Sequence, residues 1–432
     1  MFVSKNLDVN NLGHLTVGGL DAVALAERYG TPLYVMDEDL IRENCRAFKQ
    51  SIDRYYDGRG LCTYASKAFC CKAVCRIAQE EGLGLDVVSS GELYTALQAG
   101  FPMERVYFHG NNKTPAELTM ALESGVGQIV VDNLEELQLI GSLSRAAGRE
   151  TDILFRIKPG IDAHTHDFIR TGQIDSKFGL ALENGEAMEA VDEAMAMKGV
   201  RLKGLHCHIG SQIFDIAPFE LAAEVMIRFM GEIQRRYGKT LEILDLGGGF
   251  GIKYVDSDNP SSYDEYMQRV SKVIHRCCGE EGLPIPYVVI EPGRSIVGPA
   301  GTTLYTVGSV KEIKNVRTYV AIDGGMTDNP RYALYQAAYD LLVANRAAEP
   351  KTQTVTVAGK CCESGDLIQE NARIQEVGPG DILAVLATGA YNYSMASNYN
   401  RIPRPPVVMV SQGESRLVVR RESLEDLLRN DL

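Results

Sequence analysis

Four short stretches of this 432-residue sequence carry the residue types from which an anion-handling, covalent active site could be assembled. Tyr64-Ala65-Ser66-Lys67-Ala68 sets an amine among small and apolar neighbours. His206-Cys207-His208-Ile209-Gly210-Ser211 offers two imidazoles and a hydroxyl, Gly247-Gly248-Gly249-Phe250-Gly251 a glycine run, and Glu291-Pro292-Gly293-Arg294 a carboxylate beside a guanidinium. Consecutive glycines let backbone N–H groups approach an anion unobstructed, and a concave array of them holds phosphate. No Lys-Ser/Thr follows the run, and its spacing does not match a dinucleotide fingerprint. A tight turn alone would also produce such a cluster. A lysine facing the mouth of a site is desolvated, which favours the neutral amine and Schiff-base formation; a surface lysine lying along Ala65, Ala68 and Phe69 is the alternative. A phosphate cradle plus a Schiff-base lysine points to pyridoxal 5'-phosphate, which needs a third partner at its pyridine nitrogen. Glu291 fits that place, with a rim ion pair to Arg294 as the other reading. His208 could stack on the ring, although His206 and His208 could equally be structural.

The elements that must position these residues are legible as an alternation. Apolar, β-rich runs at Leu61–Ala65, Gly84–Ser89, Val106–His109, Gln128–Val131, Ile153–Ile157, Gly204–His208, Leu241–Leu246 and Tyr287–Ile290 read as parallel strands buried on both faces. Helix patterns lie between them, among them Thr114–Ser124, Leu134–Ala147 and Pro218–Tyr237. Thr114, Pro115 and Glu117 form a cap, a first-turn proline and a capping-box acid. Eight such units predict a closed (β/α)8 barrel over residues 37–295, with an open doubly wound sheet as the fallback. Each chemical stretch then follows a strand, the carboxyl end at which barrels build active sites and, after strands seven and eight, bind phosphate.

Beyond residue 300 the periodicity changes. Thr302–Val310, Val316–Asp323, Thr352–Gly359, Asp381–Leu386 and Val407–Val410 read as strands without long helices between them, and Arg416–Arg420 as a further one. Residues 296–432 therefore predict a mostly antiparallel β-sandwich or barrel-like domain. The strand candidate Pro32–Met36 suggests that residues 1–36 pair with it.

Composition narrows the function classes. Forty-four basic residues against 57 acidic ones give a formal charge of −13, which argues against nucleic acid and an anionic membrane surface but permits a small anion held by local arginines. No apolar stretch approaches about 18 residues, so no membrane span is expected. The start lacks a basic-then-apolar signal pattern, which points to the cytoplasm. Ten cysteines, none in Cys-x-x-Cys spacing, read as small buried hydrophobes rather than disulfides, and no metal site is expected.

In chain order the sequence carries Tyr64-Ala-Ser-Lys67-Ala, Asp86-Val-Val-Ser-Ser-Gly91-Glu-Leu, Phe108-His-Gly-Asn-Asn-Lys113, His164-Thr-His and Thr171-Gly-Gln-Ile-Asp-Ser-Lys177-Phe-Gly. It continues with His206-Cys-His-Ile-Gly-Ser211-Gln, Gly247-Gly-Gly-Phe-Gly251, Glu291-Pro-Gly-Arg294, Cys362-Glu-Ser-Gly-Asp366 and Gly389-Ala-Tyr391. Over nearly the whole chain these motifs resemble the fold-III pyridoxal-phosphate decarboxylases. Ser90 stands where that family more usually has glycine, with Gly91 retained beside it.

The resemblance implies Lys67 as the Schiff-base lysine, His208 over the ring and Glu291 at the ring nitrogen, with Asp86 also at the cofactor. It implies Ser211, Gly248, Gly249, Gly293, Arg294 and Tyr391 around the phosphate. Arg294, Arg331 and Tyr335 look like a substrate-carboxylate clamp, with Tyr391 beside it, Glu363 as acceptor for a distal ammonium and Cys362 as proton donor. It further implies a homodimer with shared sites, the Cys362-Glu363 loop reaching into the partner's barrel. The implied reaction is decarboxylation of meso-2,6-diaminopimelate at its D-centre to L-lysine, the last step of lysine biosynthesis. Ornithine, arginine or carboxynorspermidine are the rival substrates, and a racemase or a cofactor-free binding protein the more distant readings.

Overall fold

The computed structural model describes residues 2–161 and 175–432. His164-Thr165-His166 and residues 171–174 of the motif preceding Asp175 lie outside them. The chain divides into two compact units: Asn44–Gly251 with Pro260–Gly293, and Met1–Glu43 with Ile252–Asn259 and Arg294–Leu432.

The first unit is the barrel. Strands Gly60–Ala65, Gly84–Val87, Val106–Phe108, Gln128–Val131, Thr151–Lys158, Val200–Cys207, Ile243–Asp245 and Tyr287–Ile290 pair in parallel in that order. The last closes on the first through Val288, Val289 and Ile290 opposite Gly60, Leu61 and Cys62. Each strand is two-faced and buried, which is why it reads as a run of apolar residues rather than an alternation. Tyr107, Val130, Leu154, Ile243 and Val289 pack together as one cluster contributed by five strands. The helices begin where their chemistry says they should. Pro115–Ser124 carries the full Thr114/Glu117 capping box and ends at Gly125 in the left-handed region.

The second unit is built on a sheet in the order Leu367–Ile374, Gln353–Ala358, Arg317–Ile322, Gly301–Ile313, Leu33–Asp37, Val407–Ser411, Glu414–Val419. As its sequence suggested, the early strand Leu33–Asp37 belongs here. It runs antiparallel to Gly301–Ile313 and parallel to Val407–Ser411, with all five residues buried. A second parallel pairing joins Arg317–Ile322 to Gln353–Ala358, and the remaining pairings are antiparallel. Leu33, Val35, Leu304, Tyr305, Val385 and Val408 lie in its core. Strand Leu367–Ile374 was not anticipated. Its Leu-Ile-Gln-Glu-Asn-Ala-Arg-Ile run contains Asn371 at φ +53°, and the pairing slips in register, so the alternation that marks a strand is interrupted.

No helix among the described residues is long and apolar enough to cross a membrane. Leu154 is fully buried in the cluster shared by five barrel strands. Leu154→Ala should cost about 2 to 5 kcal/mol in denaturant unfolding, the usual cost of truncating a packed leucine.

Candidate active site

Five barrel strands deliver buried polar side chains to their carboxyl ends: Asp86, His109, His206, Asp245 and Glu291. The nearest polar atoms of His109, His206, Asp245 and Glu291 all lie within 4.8 Å of one another. Glu291 is the centre of the group. Its Oε1 is 2.6 Å from His109 Nε2 and its Oε2 is 3.2 Å from His206 Nε2. Burial alone would push its carboxyl up, but the two histidines overcome this and hold it well below the usual carboxylate range.

The two histidines do different work. Burial would lower His109, yet the carboxylates of Glu291 and Asp86 raise it, so His109 is the cation of the group. His206 is driven down to about 4 by burial and is neutral. It therefore serves Glu291 as an N–H donor, which fixes its proton on Nε2. Burial and the neighbouring Glu291 push Asp245 well up, so it is a neutral acid beside an ionised one. Burial similarly raises Asp86, to about 6.

Around this centre stand the groups expected at a phosphate and a Schiff base. Lys67 sits in the turn Ser66–Ala68 that ends the first strand. Its side chain is exposed, so the protein's own packing does not supply the desolvation that its apolar sequence neighbours suggested. His208 is held far below its ordinary value by burial and by Lys67, leaving a neutral ring whose Nδ1 accepts the N–H of Gly248 at 3.2 Å. The Gly247 N–H is bound by Asp245 Oδ1 at 2.9 Å. Gly247 and Gly249 have φ of +67° and +114°, and a Cβ on Gly248 would lie 2.2 Å from the Glu291 carbonyl oxygen. Gly293 is confined as well, since a Cβ there would lie 2.9 Å from the Ala65 Cβ. Ser211 follows in the half-buried loop after His208.

In the second unit two arginines converge on one phenol. Arg294 and Arg331 each donate to the Tyr254 hydroxyl, at 2.6 and 3.1 Å, and Arg331 also donates to Tyr339 at 2.8 Å. The Arg294 guanidinium lies 4.7 Å from the Tyr391 ring centroid, within cation–π range. Burial would raise the Tyr254 phenol, but Arg294 and Arg331 bring it below the ordinary value. Arg331, itself buried, has no ion pair with a carboxylate among the described residues. Tyr335 closes the short helix Arg331–Tyr335 and is half-buried.

The Cys362-Glu363 loop of the same unit is pinned from beneath by Asp366, whose carboxylate accepts N–H groups of Cys361 and Met326 at 2.7 and 2.6 Å. Cys362 and Glu363 are left exposed while Cys361 is buried, its thiol pushed up to about 11 by burial. The Cys362 N–H is bound by Asn400 Oδ1 at 2.7 Å.

The sequence and the fold have counterparts among known proteins. Residues 38–298 match the family model described as the pyridoxal-dependent decarboxylase, pyridoxal binding domain. The diaminopimelate decarboxylase of Bacillus subtilis (strain 168) is 53% identical, covering 100% of this chain and 98% of its own length. That of Mycobacterium tuberculosis (strain H37Rv) is 45% identical, covering 98% and 96%. The chain belongs to the pyridoxal-dependent decarboxylases. Among solved structures of the family, the diaminopimelate decarboxylase of M. jannaschii in complex with L-lysine superposes with a TM-score of 0.92 at 35% identity, covering 100% of this chain and 99% of that one. The lysine/ornithine decarboxylase of Vibrio vulnificus, complexed with putrescine, gives 0.76 at 25%, covering 90% and 97%.

For a pyridoxal-dependent decarboxylase the residues present fit the cofactor. A glycine turn too tight for side chains lets a phosphate approach its backbone closely. A strand-end amine suits the aldehyde carbon, and a buried ionised carboxylate suits a protonated ring nitrogen.

Sequence reasoning left four of these groups without a role. His109 and Asp245 sat in quoted or strand-like runs, and the register that brings both to Glu291 is a property of barrel closure. Tyr254 and Tyr339 carry no motif signal, although both follow segments that bear one. Lys113, inside a quoted motif, spends its three protons on Gly110 O, Val130 O and Glu136, so it staples a loop. Gly248→Ala forces a methyl against strand-end backbone, and pyridoxal phosphate affinity, measured by equilibrium dialysis, should fall about tenfold to hundredfold.

Proposed function

We propose that the chain removes the D-centre carboxylate of meso-2,6-diaminopimelate as carbon dioxide and replaces it with a proton, giving L-lysine in lysine biosynthesis. The observation that carries this choice over a diamine-forming reaction is the buried Arg331, supported by phenols rather than by a carboxylate. A substrate that keeps a carboxylate can occupy the planar guanidinium bidentately, whereas ornithine or arginine brings only a cation to its far end. The full-length relatives named diaminopimelate decarboxylase support the same reading.

Pyridoxal phosphate, when bound, supplies the electron-withdrawing ring that takes up the electron pair left by the departing carbon dioxide. In this reading Lys67 Nζ would hold the cofactor, Glu291 would accept from its ring nitrogen, Asp86 would contribute its carboxyl and His208 would contact the ring. Ser211, Gly248, Gly249, Gly293, Arg294 and Tyr391 hold the phosphate. Arg294, Arg331, Tyr335 and Tyr391 orient the substrate, and Glu363 takes the distal ammonium. Cys362 Sγ delivers the proton. The exposure of Cys362 and Glu363 on a loop anchored by Asp366 supports their working in a partner's site, and therefore a homodimer. Ten free thiols support a reducing compartment, the cytoplasm.

Carbon dioxide release from meso-diaminopimelate should far exceed that from ornithine or arginine, and Arg331→Ala should remove much of the advantage, chiefly through KM. Equal rates on all three substrates would refute the assignment. Cys362→Ala should keep the cofactor's colour while turnover slows by about 10² to 10⁴, the usual worth of a positioned general acid. Mixing it with Lys67→Ala should restore part of the activity, because one site of a heterodimer is then intact; no recovery would argue against a shared site.

A further inference from the structure

The barrel group contains one charged residue that the proposed mechanism does not use. We propose that His109 is a positioning residue, whose imidazolium holds the Glu291 carboxylate ionised and fixed for the pyridine nitrogen of pyridoxal phosphate. The inference rests on the reading of Glu291 given above and extends it to the group behind it.

Four observations support it. His109 Nε2 makes the shorter of the two contacts to Glu291, 2.6 Å against 3.2 Å for His206. His109 and Glu291 are both buried, so solvent and salt screen their attraction far less than at the surface. His109 Nε2 also lies 3.8 Å from Asp86 Oδ1, which places it between two carboxylates. Its ring packs edge-on against His206 with centroids 4.8 Å apart, which limits rotation of both rings.

The charges facing His109 are those of Glu291, Asp86 and Arg156, with His206 at the ring edge. Two carboxylates against one guanidinium favour the imidazolium, and the burial-driven neutrality of His206 leaves His109 as the cation paired with Glu291. A carboxylate oxygen has two lone pairs, so two histidine contacts leave capacity to accept a further N–H. Without His109 the carboxyl would be buried beside Asp245 and Asp86 with only a neutral donor, and its proton affinity would rise. A protonated Glu291 cannot hold a second proton on a ring nitrogen.

The test uses the full-length enzyme and compares His109→Ala, His109→Phe, His109→Gln and Glu291→Gln, each checked for folding by circular dichroism. Phenylalanine keeps the ring without a donor, and glutamine restores an N–H without a charge. Readouts are the dissociation constant for pyridoxal phosphate and the pH dependence of the visible band of the loaded protein. Removing the cation paired with a buried carboxylate should weaken cofactor binding about tenfold to hundredfold in the Ala and Phe variants. Their visible band should titrate where that of the wild type is flat. Glutamine should recover much of the affinity but not the flat titration. Ala and Phe variants that match the wild type in both readouts, beside an impaired Glu291→Gln, would overturn the role of His109 alone. Wild-type behaviour of Glu291→Gln would instead overturn the reading of Glu291 on which it rests. Should the Ala variant not fold, the Phe and Gln pair decides.

Discussion

An ionised carboxylate buried at the end of a barrel strand is the constraint around which the rest of the first unit is arranged. Taking Glu291 out of water costs several kcal/mol unless opposite charge and hydrogen bonds replace its hydration. The protein supplies them from two other strands, a cation from His109 and a neutral donor from His206. Asp245 then has to give up its own charge, because a second ionised carboxylate at this distance would undo the first. Its remaining task is local: Oδ1 takes the Gly247 N–H and so shapes the start of the glycine turn. One carboxylate thus raises both His109 and Asp245, and through Asp245 it bears on the geometry of the turn.

The second unit solves the complementary problem with cations. Arg294 and Arg331 are brought to a single hydroxyl, and their joint charge draws the Tyr254 phenol below its ordinary value. A carboxylate in that position would have formed a buried ion pair strong enough to compete with any anionic ligand. A phenol holds the two guanidiniums in place, and Arg331 meets no carboxylate among the described residues. The formal charge of −13 over the chain therefore coexists with a locally positive group, and net charge says nothing about it.

Much of the scaffold was readable from sequence, for identifiable reasons. The barrel strands are short apolar runs between capped helices, and both signals are local: Thr114, Pro115 and Glu117 announce a helix start without reference to anything distant. The early strand Leu33–Asp37 was legible as Pro32–Met36, an apolar run just ahead of the helix pattern Leu40, Ile41, Cys45, Phe48, Ile52. Strand Leu367–Ile374 was missed because its identity is set by its neighbour and not by its own alternation. The exposure of Lys67 shows the same limit, since apolar residues adjacent in sequence point elsewhere once the turn Ser66–Ala68 is formed.

The site divides along the same line. Residues whose chemistry is intrinsic, a lysine after a strand, a triple glycine, a Cys-Glu pair, stand out in the sequence because few other contexts need them there. Residues that act on other residues do not. His109 is one histidine among seven, and only barrel closure turns it toward Glu291. Tyr254 is one tyrosine among twenty, and only the fold of the second unit sets it between Arg294 and Arg331. A motif records the atoms that meet a ligand. The charges that keep those atoms in a working state come from whichever strands the topology makes adjacent, and so they become visible only in three dimensions.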